Sequence, residues 1–342
     1  MKVIESKSQL VGVAAGAVLT IGNFDGVHIG HQAILSAAKH IAGQRQTELV
    51  VMTFQPHPLS ILNPKKAPGT LTPAVLKEHL LAELGAGILF AAKSEPGLLS
   101  LRAADFVERF IVKGVRPSVI VEGEDFNFGS GREGSVHTLQ KLAEAKGIEV
   151  IIVGPKKAKL ADGQTVEVSS TVIRDMVTKG KVADAAILLG RPYRLIGGIV
   201  PGRGKGKQLG FPTLNLGKPQ QIIPAEGVYA GTAEVAESIE KVCIAKERIP
   251  AVFSIGRATT YSEGQSLLIE AHLLVDNAEQ FTGRPASTAR LDSASSRGGT
   301  KRGEYMAMDF IERIRSQQKF ESEKELARQI AKDCEKAKRI LK

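Results

Sequence analysis

The 342-residue chain has no tryptophan, two cysteines and only 5% aromatic residues. Without aromatics interleaved among basic residues there is no stacking platform of the kind that binds single-stranded nucleic acid. Cys243 and Cys334 stand far apart and lack the paired spacing of zinc or redox motifs. Neither a disulfide framework nor a thiolate metal site is therefore expected, and a reducing, cytoplasmic setting is. No apolar run approaches the roughly 20 residues that a membrane helix needs. The opening MKVIESKSQL carries Lys2 and Lys7 with no apolar stretch behind them, so neither an anchor nor a leader is expected.

What is present is ordinary in bulk. Hydrophobic residues make up 43% and charged residues 24%, and the length is enough to bury two cores. The formal net charge of +10 permits nucleic-acid binding, yet equally suits an enzyme that handles phosphate-rich small anions such as ATP. Charge alone does not separate these, and the oligomeric state is not legible.

The pattern of apolar residues changes along the chain. From residue 17 to about 153, short apolar runs (Ala17 to Ile21, Leu49 to Phe54, Ile88 to Ala91, Ser118 to Glu122, Glu149 to Val153) alternate with helical patterns. Those patterns are His31 to Ala42, Pro73 to Leu84, Ala103 to Lys113 and Ser135 to Lys146. Strands alternating with helices predict βαβ units and a parallel sheet. Beyond about 190 the texture turns Gly-rich and β-branched. Strands are predicted at Arg194 to Val200, Gly227 to Val235, Ile249 to Ile255 and Leu267 to Val275, which points to an antiparallel β-barrel. Ser322-Glu-Lys-Glu325 has the capping-box pattern, and Leu326, Ile330, Cys334, Ala337 and Leu341 follow at helical spacing, predicting a terminal helix packed on the barrel. The fold class is thus α/β, with a parallel-sheet domain over 1–185 and a barrel domain over 186–342. Residues 277–303, rich in Ser, Gly, Ala and Arg, are read as a mobile loop within the second.

Residues 20–31 read TIGNFDGVHIGH, so the letters HIGH stand at His28 to His31. A strand runs into a turn holding Gly22 and Gly26, then into a helix starting near His28. The helix start offers free N–H groups and the positive end of a dipole, where phosphate binds readily. His28 and His31 are three apart and share a face, so two imidazoles can donate to charge developing on a phosphoanhydride. HIGH is also the first signature of one class of aminoacyl-tRNA synthetases, which keeps a tRNA- or RNA-binding protein as an alternative. The KMSKS-like loop that such an enzyme carries downstream is missing. In its place stands Val168-Ser-Ser-Thr-Val-Ile-Arg174, hydroxyls and an arginine suited to a phosphate-binding helix start.

Four motifs now stand in order: GNFDGVHIGH, TFQPHP at 53–58, GEDFNFG at 123–129 and SSTVIR at 169–174. Together they resemble the adenylyltransferase domain of the bifunctional prokaryotic riboflavin kinase/FAD synthetase family. The resemblance implies that His28, His31, Ser170, Thr171 and Arg174 handle ATP phosphates, while Gly22, Phe24, Asp25 and Gly30 shape the loop beneath them. Asp125, Phe54 and Pro56 would line the nucleotide and flavin pocket.

In the second half, Gly202, Gly204 and Gly206 form a basic glycine-rich segment that fails as a Walker A motif, since Pro201 and Gln208 occupy its first-Gly and Ser/Thr positions. Leu209-Gly210-Phe-Pro-Thr213-Leu-Asn215 follows directly and resembles the family's kinase signature. Thr213 and Asn215 lie on one side of an extended strand and could reach a Mg²⁺ bridging ATP phosphates. Glu270, in the strand pattern Leu267 to Val275, matches the family's general base for the ribityl hydroxyl. Pro224, Gly227, Val228 and Tyr229, and Ser254 to Gly256, fit further family segments. Two stretches depart from the pattern: Ala258-Thr-Thr-Tyr261, and the region after Asp276. The resemblance implies a cytoplasmic enzyme with ATP, riboflavin and FMN as partners and Mg²⁺ as cofactor, without nucleic acid or membrane. It makes FMN, then FAD with release of pyrophosphate. An adenylyltransferase whose kinase half serves only binding or regulation is the alternative that the two departures motivate.

Overall fold

The computed structural model describes residues 1–202, 204–245, 247–257, 267–275 and 304–342. The expected mobile loop at 277–303 and the departure at 258–261 lie outside the described residues. The chain divides into two units, Met1–Lys159 with Gly163–Ser170, and Leu160–Asp162 with Thr171–Lys342.

The first unit is built on six strands: β1 (Lys2–Ile4), β2 (Val18–Ile21), β3 (Leu49–Gln55), β4 (Ile88–Lys93), β5 (Val119–Gly123) and β6 (Glu149–Val153). They lie in the order β1-β4-β3-β2-β5-β6, every neighbouring pair parallel. Parallel strands covered on both faces read as unbroken apolar runs, and each strand here except the edge strand β1 feeds two cores. Leu19, Met52 and Ile120 pack on one face with Ile111, Leu139 and Ala143. Val18, Val51 and Val121 pack on the other with Leu35, Ala38 and Leu81. The second core comes from α1 (Ile29–Gln44) and α2 (Ala74–Glu83), the first partly from α3 (Val136–Glu144). The helix expected over Ala103 to Lys113 begins as one turn at Ala103–Phe106 and continues as the wider π form over Val107–Val115. The three-residue edge strand β1 was too short to give a readable pattern.

Strand order reverses once: β2, β3 and β4 step one way and β5 and β6 the other. Ligands of such sheets bind in the crevice beyond the carboxyl ends of the strands at that reversal. Here those ends are Ile21 and Gly123, and the first and third motifs begin there.

The second unit starts with α4 (Ser170–Thr178, divided from the first unit after Ser170) and α5 (Val182–Leu189). Then come β7 (Tyr193–Val200), β8 (Leu214–Leu216), β9 (Gly227–Ala236), β10 (Ile249–Arg257), β11 (Leu267–Leu273) and β12 (Tyr305–Arg315). They close into an antiparallel barrel in the order β7-β8-β11-β10-β9-β12. Tyr229, Phe253 and Phe310 fill the barrel, their ring centroids 5.2 and 5.0 Å from the shared Phe310. The extended stretch read at Thr213 to Asn215 runs into β8, whereas β12, whose apolar run follows an atypical stretch, was missed.

The terminal helix, α6 (Glu323–Ile340), lays Ile330, Cys334 and Ala337 on Val228, Ala230 and Val252, the outer face of β9 and β10. Ser322 caps it by accepting from the Glu325 N–H at 3.3 Å, but the Glu325 carboxylate accepts from Glu321 N–H instead of closing the reciprocal box. Arg315 grips Asp333 through Nε and Nη2 at 2.8 to 3.0 Å, a forked pair that fixes the helix on the barrel. Cys243 and Cys334 are unpaired and buried, and burial pushes both thiols up to about 11, which makes them packing residues. Among the described residues no helix is long and apolar enough to cross a membrane.

Candidate functional site

Two sites emerge, one in each unit. In the first, β2 ends at Ile21 and the chain turns through Gly22 to Val27 into α1. Three residues of this turn are left-handed: Phe24 at φ 48°, Gly26 at 89° and Val27 at 42°. Phe24 and Val27 pay a steric cost there, and such strain persists only where the surroundings over-determine it. They do so through four connections. The Asp25 carboxylate accepts from the Leu71 and Thr72 N–H groups at 2.9 to 3.1 Å. Thr72 Oγ1 accepts from Gly26 N–H at 2.8 Å. The Ser170 hydroxyl donates to the Asp25 carbonyl at 2.8 Å. The Asn23 carbonyl accepts from Lys77 Nζ at 3.2 Å and from the Thr53 hydroxyl at 3.3 Å.

The turn delivers His28 as the cap of α1: its Nδ1 accepts from His31 N–H at 3.3 Å. The two imidazoles stack with centroids 3.6 Å apart, and Phe24 meets His31 edge-on at 5.2 Å. Any side chain at Gly30 would come within 3.1 Å of the His28 ring, and one at Gly22 within 3.2 Å of the Phe24 ring, so both glycines leave room for this stack. Gly22, Phe24, Asp25 and Gly30 thus shape the loop, with Asp25 already engaged by backbone.

Across the crevice, β2 and β5 are paired only at Val18–Val119 and Leu19–Ile120, then part. The Ile21 N–H is taken instead by Glu122 Oε1 at 2.5 Å. This carboxyl is buried, and burial holds it well above the usual carboxylate range, with the charge of Asp125 adding in the same direction. Asp125 itself is exposed, just past the end of β5. Phe54 is half-buried against the core at the end of β3, Pro56 beyond it is exposed, and His57 Nε2 lies 3.3 Å from the Asn23 amide. Ser170 joins the turn directly. Thr171 and Arg174 belong to the second unit, on α4.

Glu122, Lys77, Thr72, Thr53, Asn23 and His57 were not singled out from the sequence. For Glu122 a signal existed, a single carboxylate in an otherwise apolar strand. Asn23, Thr53 and His57 lie inside quoted motifs that did not reveal their roles, and Thr72 and Lys77 lie in no recognisable spacing with the turn they hold.

The second site lies on the outer face of the barrel. Asn215 on β8 stands opposite Glu270 on β11, both half-buried, while their neighbours Leu214, Ile269 and Ala271 face the core. Thr213 Oγ1 is 3.5 Å from Glu270 Oε1. The glycine-rich segment rests on these groups. A Cβ at Gly202 would sit 2.1 Å from Asn215 Nδ2, and one at Gly206 would sit 2.5 Å from the Phe211 carbonyl and 3.2 Å from Thr213 Oγ1. Gly204 and Gly210 are left-handed, at φ 71° and 84°. His272, two residues along β11 on the same face, bonds its Nδ1 to the Pro212 carbonyl at 2.8 Å and meets the Phe211 ring at 5.5 Å, steadying the Thr213 approach. Thr213, Asn215 and Glu270 offer hydroxyl, amide and carboxylate oxygens, hard donors that fit a Mg²⁺ carrying phosphates. Among the described residues no group of three or more His, Cys, Asp or Glu could hold a metal by itself.

Comparison with known proteins gives the same division. A family model described as FAD synthetase matches residues 12–172, and one described as riboflavin kinase matches 189–341. A bifunctional riboflavin kinase/FMN adenylyltransferase of Escherichia coli K12 is 33% identical over 318 residues, 93% of this chain and 90% of the relative. Its Bacillus subtilis counterpart is 32% identical over 328 residues, 94% of this chain and 92% of the relative. A solved Streptococcus pneumoniae structure, titled a macrolide-efflux protein, is 26% identical with a TM-score of 0.77, covering 98% of both chains.

Proposed function

The chain belongs to the bifunctional riboflavin kinase/FMN adenylyltransferase family, and from that premise we propose how its two sites divide FAD synthesis between them. The enzyme is a transferase that phosphorylates riboflavin to FMN with ATP and then adenylylates FMN to FAD. We assign adenylyl transfer to residues 1–185 and phosphorylation to residues 186–342.

In the barrel domain, the ribityl 5′-hydroxyl of riboflavin attacks the γ-phosphate of ATP, the bond from the γ-phosphorus to the bridging oxygen breaks, and ADP leaves. Glu270 takes the hydroxyl proton as the new P–O bond forms, while the segment bearing Gly202, Gly204, Gly206 and Gly210 cradles the phosphates with backbone N–H groups. Thr213 and Asn215 would hold Mg²⁺, whose charge neutralises the phosphate oxygens. The observation that carries this assignment is the register pairing Asn215 with Glu270 beneath that glycine segment.

In the parallel-sheet domain, a phosphate oxygen of FMN attacks the α-phosphorus of a second ATP and pyrophosphate leaves. His28 and His31, stacked at the start of α1, donate to the charge that develops on the leaving phosphates. Ser170 holds the same phosphates, Asp125 meets the nucleoside, and the apolar surfaces of Phe54 and Pro56 take the flavin ring. The substrates are small molecules. The setting is cytoplasmic, which two unpaired, buried cysteines suit.

The test incubates the chain with riboflavin, ATP and Mg²⁺ and separates the flavins over time. FMN should appear first and FAD after it. FAD formed only from added FMN would overturn the kinase assignment, and salt-sensitive RNA binding without flavin turnover would overturn both.

A further inference from the structure

We propose that Lys77 is a positioning residue for adenylyl transfer, holding the Asn23–Phe24 peptide so that the turn before α1 presents the Phe24 N–H to phosphate. The inference rests on the assignment of that reaction to this domain.

Lys77 stands on α2, outside every motif, yet its ammonium reaches the turn. It donates to the Asn23 carbonyl at 3.2 Å and to Thr53 Oγ1 at 3.3 Å, and the Thr53 hydroxyl donates to the same carbonyl at 3.3 Å. The three groups form a closed triangle. A carbonyl drawn toward β3 and α2 by two donors turns the amide on the far side of its peptide plane the opposite way, and that amide belongs to Phe24. Phe24 is the first left-handed residue of the turn, so the peptide before it decides whether the strained path is kept. The other connections act further along, on Asp25 and Gly26. Among the described residues, the Lys77–Thr53 pair alone holds the Asn23 carbonyl.

Lys77 also brings a cation to this turn. Burial lowers its pKa from the ordinary lysine value, while the carboxylates of Asp25 and of Glu78 on its own helix act to keep the proton on. His57, bonded to the Asn23 amide, and the stacked His28 and His31 are further titratable side chains at this corner. A charge held in place here adds to the positive end of α1 without any reorganisation when phosphate charge develops. Asn23 Oδ1, carried by the same peptide, is buried and accepts no hydrogen bond among the described residues, so fixing the backbone also fixes a polar atom able to meet substrate.

The experiment compares wild type, K77Q and K77R in steady-state FAD formation from FMN and ATP, with FMN formation from riboflavin measured on the same preparations. Wild type must convert FMN to FAD; if it does not, the assignment of the reaction fails, and this inference with it. Given that conversion, K77Q should lower kcat at least tenfold with both KM values within about threefold, while K77R recovers a third or more of the lost rate. Kinase turnover should stay at the wild-type level in both. A K77Q kcat within twofold of wild type, a loss carried by KM, or K77R as slow or as unstable as K77Q would each overturn the proposal.

Discussion

The two sites solve one problem, holding ATP phosphates near an acceptor, by opposite means. The adenylyl-transfer site stores strain: a turn with three left-handed residues is forced into place by side chains from Thr53, Thr72, Lys77 and Ser170. The kinase site stores none of that kind in its reacting side chains. Thr213, Asn215 and Glu270 fall together because β8 and β11 pair in register, and the glycine segment closes on them because it lacks side chains. A site made by register depends on a few side chains acting directly, whereas a site made by a clamped turn spreads its dependence over residues that never meet substrate.

The largest effect that contrast predicts is at Glu270. Replacing the base with an amide of the same shape, E270Q, should slow FMN formation by about 10²- to 10⁴-fold. FAD formation from added FMN should stay unchanged. FMN formation near the wild-type rate would remove Glu270 as the base. Next comes Gly206, where an added Cβ meets the Phe211 backbone carbonyl, which cannot swing aside as a side chain would. G206A should displace the segment from Thr213 and cost kinase turnover on the order of 10²-fold, the scale associated with misplacing reacting groups by about 1 Å. Adenylyl transfer should not respond. A G206A enzyme with normal kinase turnover would show that the segment does not set the phosphate position.

A smaller effect belongs to Asp25. Its carboxylate accepts from two backbone N–H groups and is part of the turn's support, so D25A should destabilise the parallel-sheet domain by about 1–3 kcal/mol. FAD formation should fall with it while FMN formation persists. Denaturant unfolding followed by domain-specific turnover would check this. An unchanged midpoint together with normal FAD synthesis would mean that the turn holds without this carboxylate.

How much of this was legible in the sequence follows from the same contrast. The alternation of strands and helices, the barrel, the terminal helix stripe and the histidine pair all have local spacing, and the structure contains them. Lys77 and Thr72 support the turn across more than forty residues of sequence, through single hydrogen bonds that impose no periodicity, so no local pattern announces them. β8 was legible only as the extended stretch holding Thr213 and Asn215, and β12 was hidden because an apolar run of both faces looks alike in a strand or a buried helix. Glu122 was hidden differently: its residue type was visible, but its role depends on β2 and β5 parting, which only the register reveals.

Glu122 therefore offers the finest probe of the crevice. Burial raises its folded pKa above the ordinary glutamate value, against the opposing pull of the Ile21 N–H, which favours the charged form. Between the unfolded and folded values the folded chain holds a proton that the unfolded chain has released, so stability must fall as pH rises through that window. E122Q keeps an oxygen for Ile21 N–H and cannot ionise. Its thermal midpoint should match wild type at a pH below the unfolded value and exceed it above the window, by an amount on the order of a few °C for a domain of this size. Calorimetric scans of both proteins across that range would measure the difference. Parallel pH profiles for the two would show that the carboxyl stays charged at Ile21, and that the strands part around an anion.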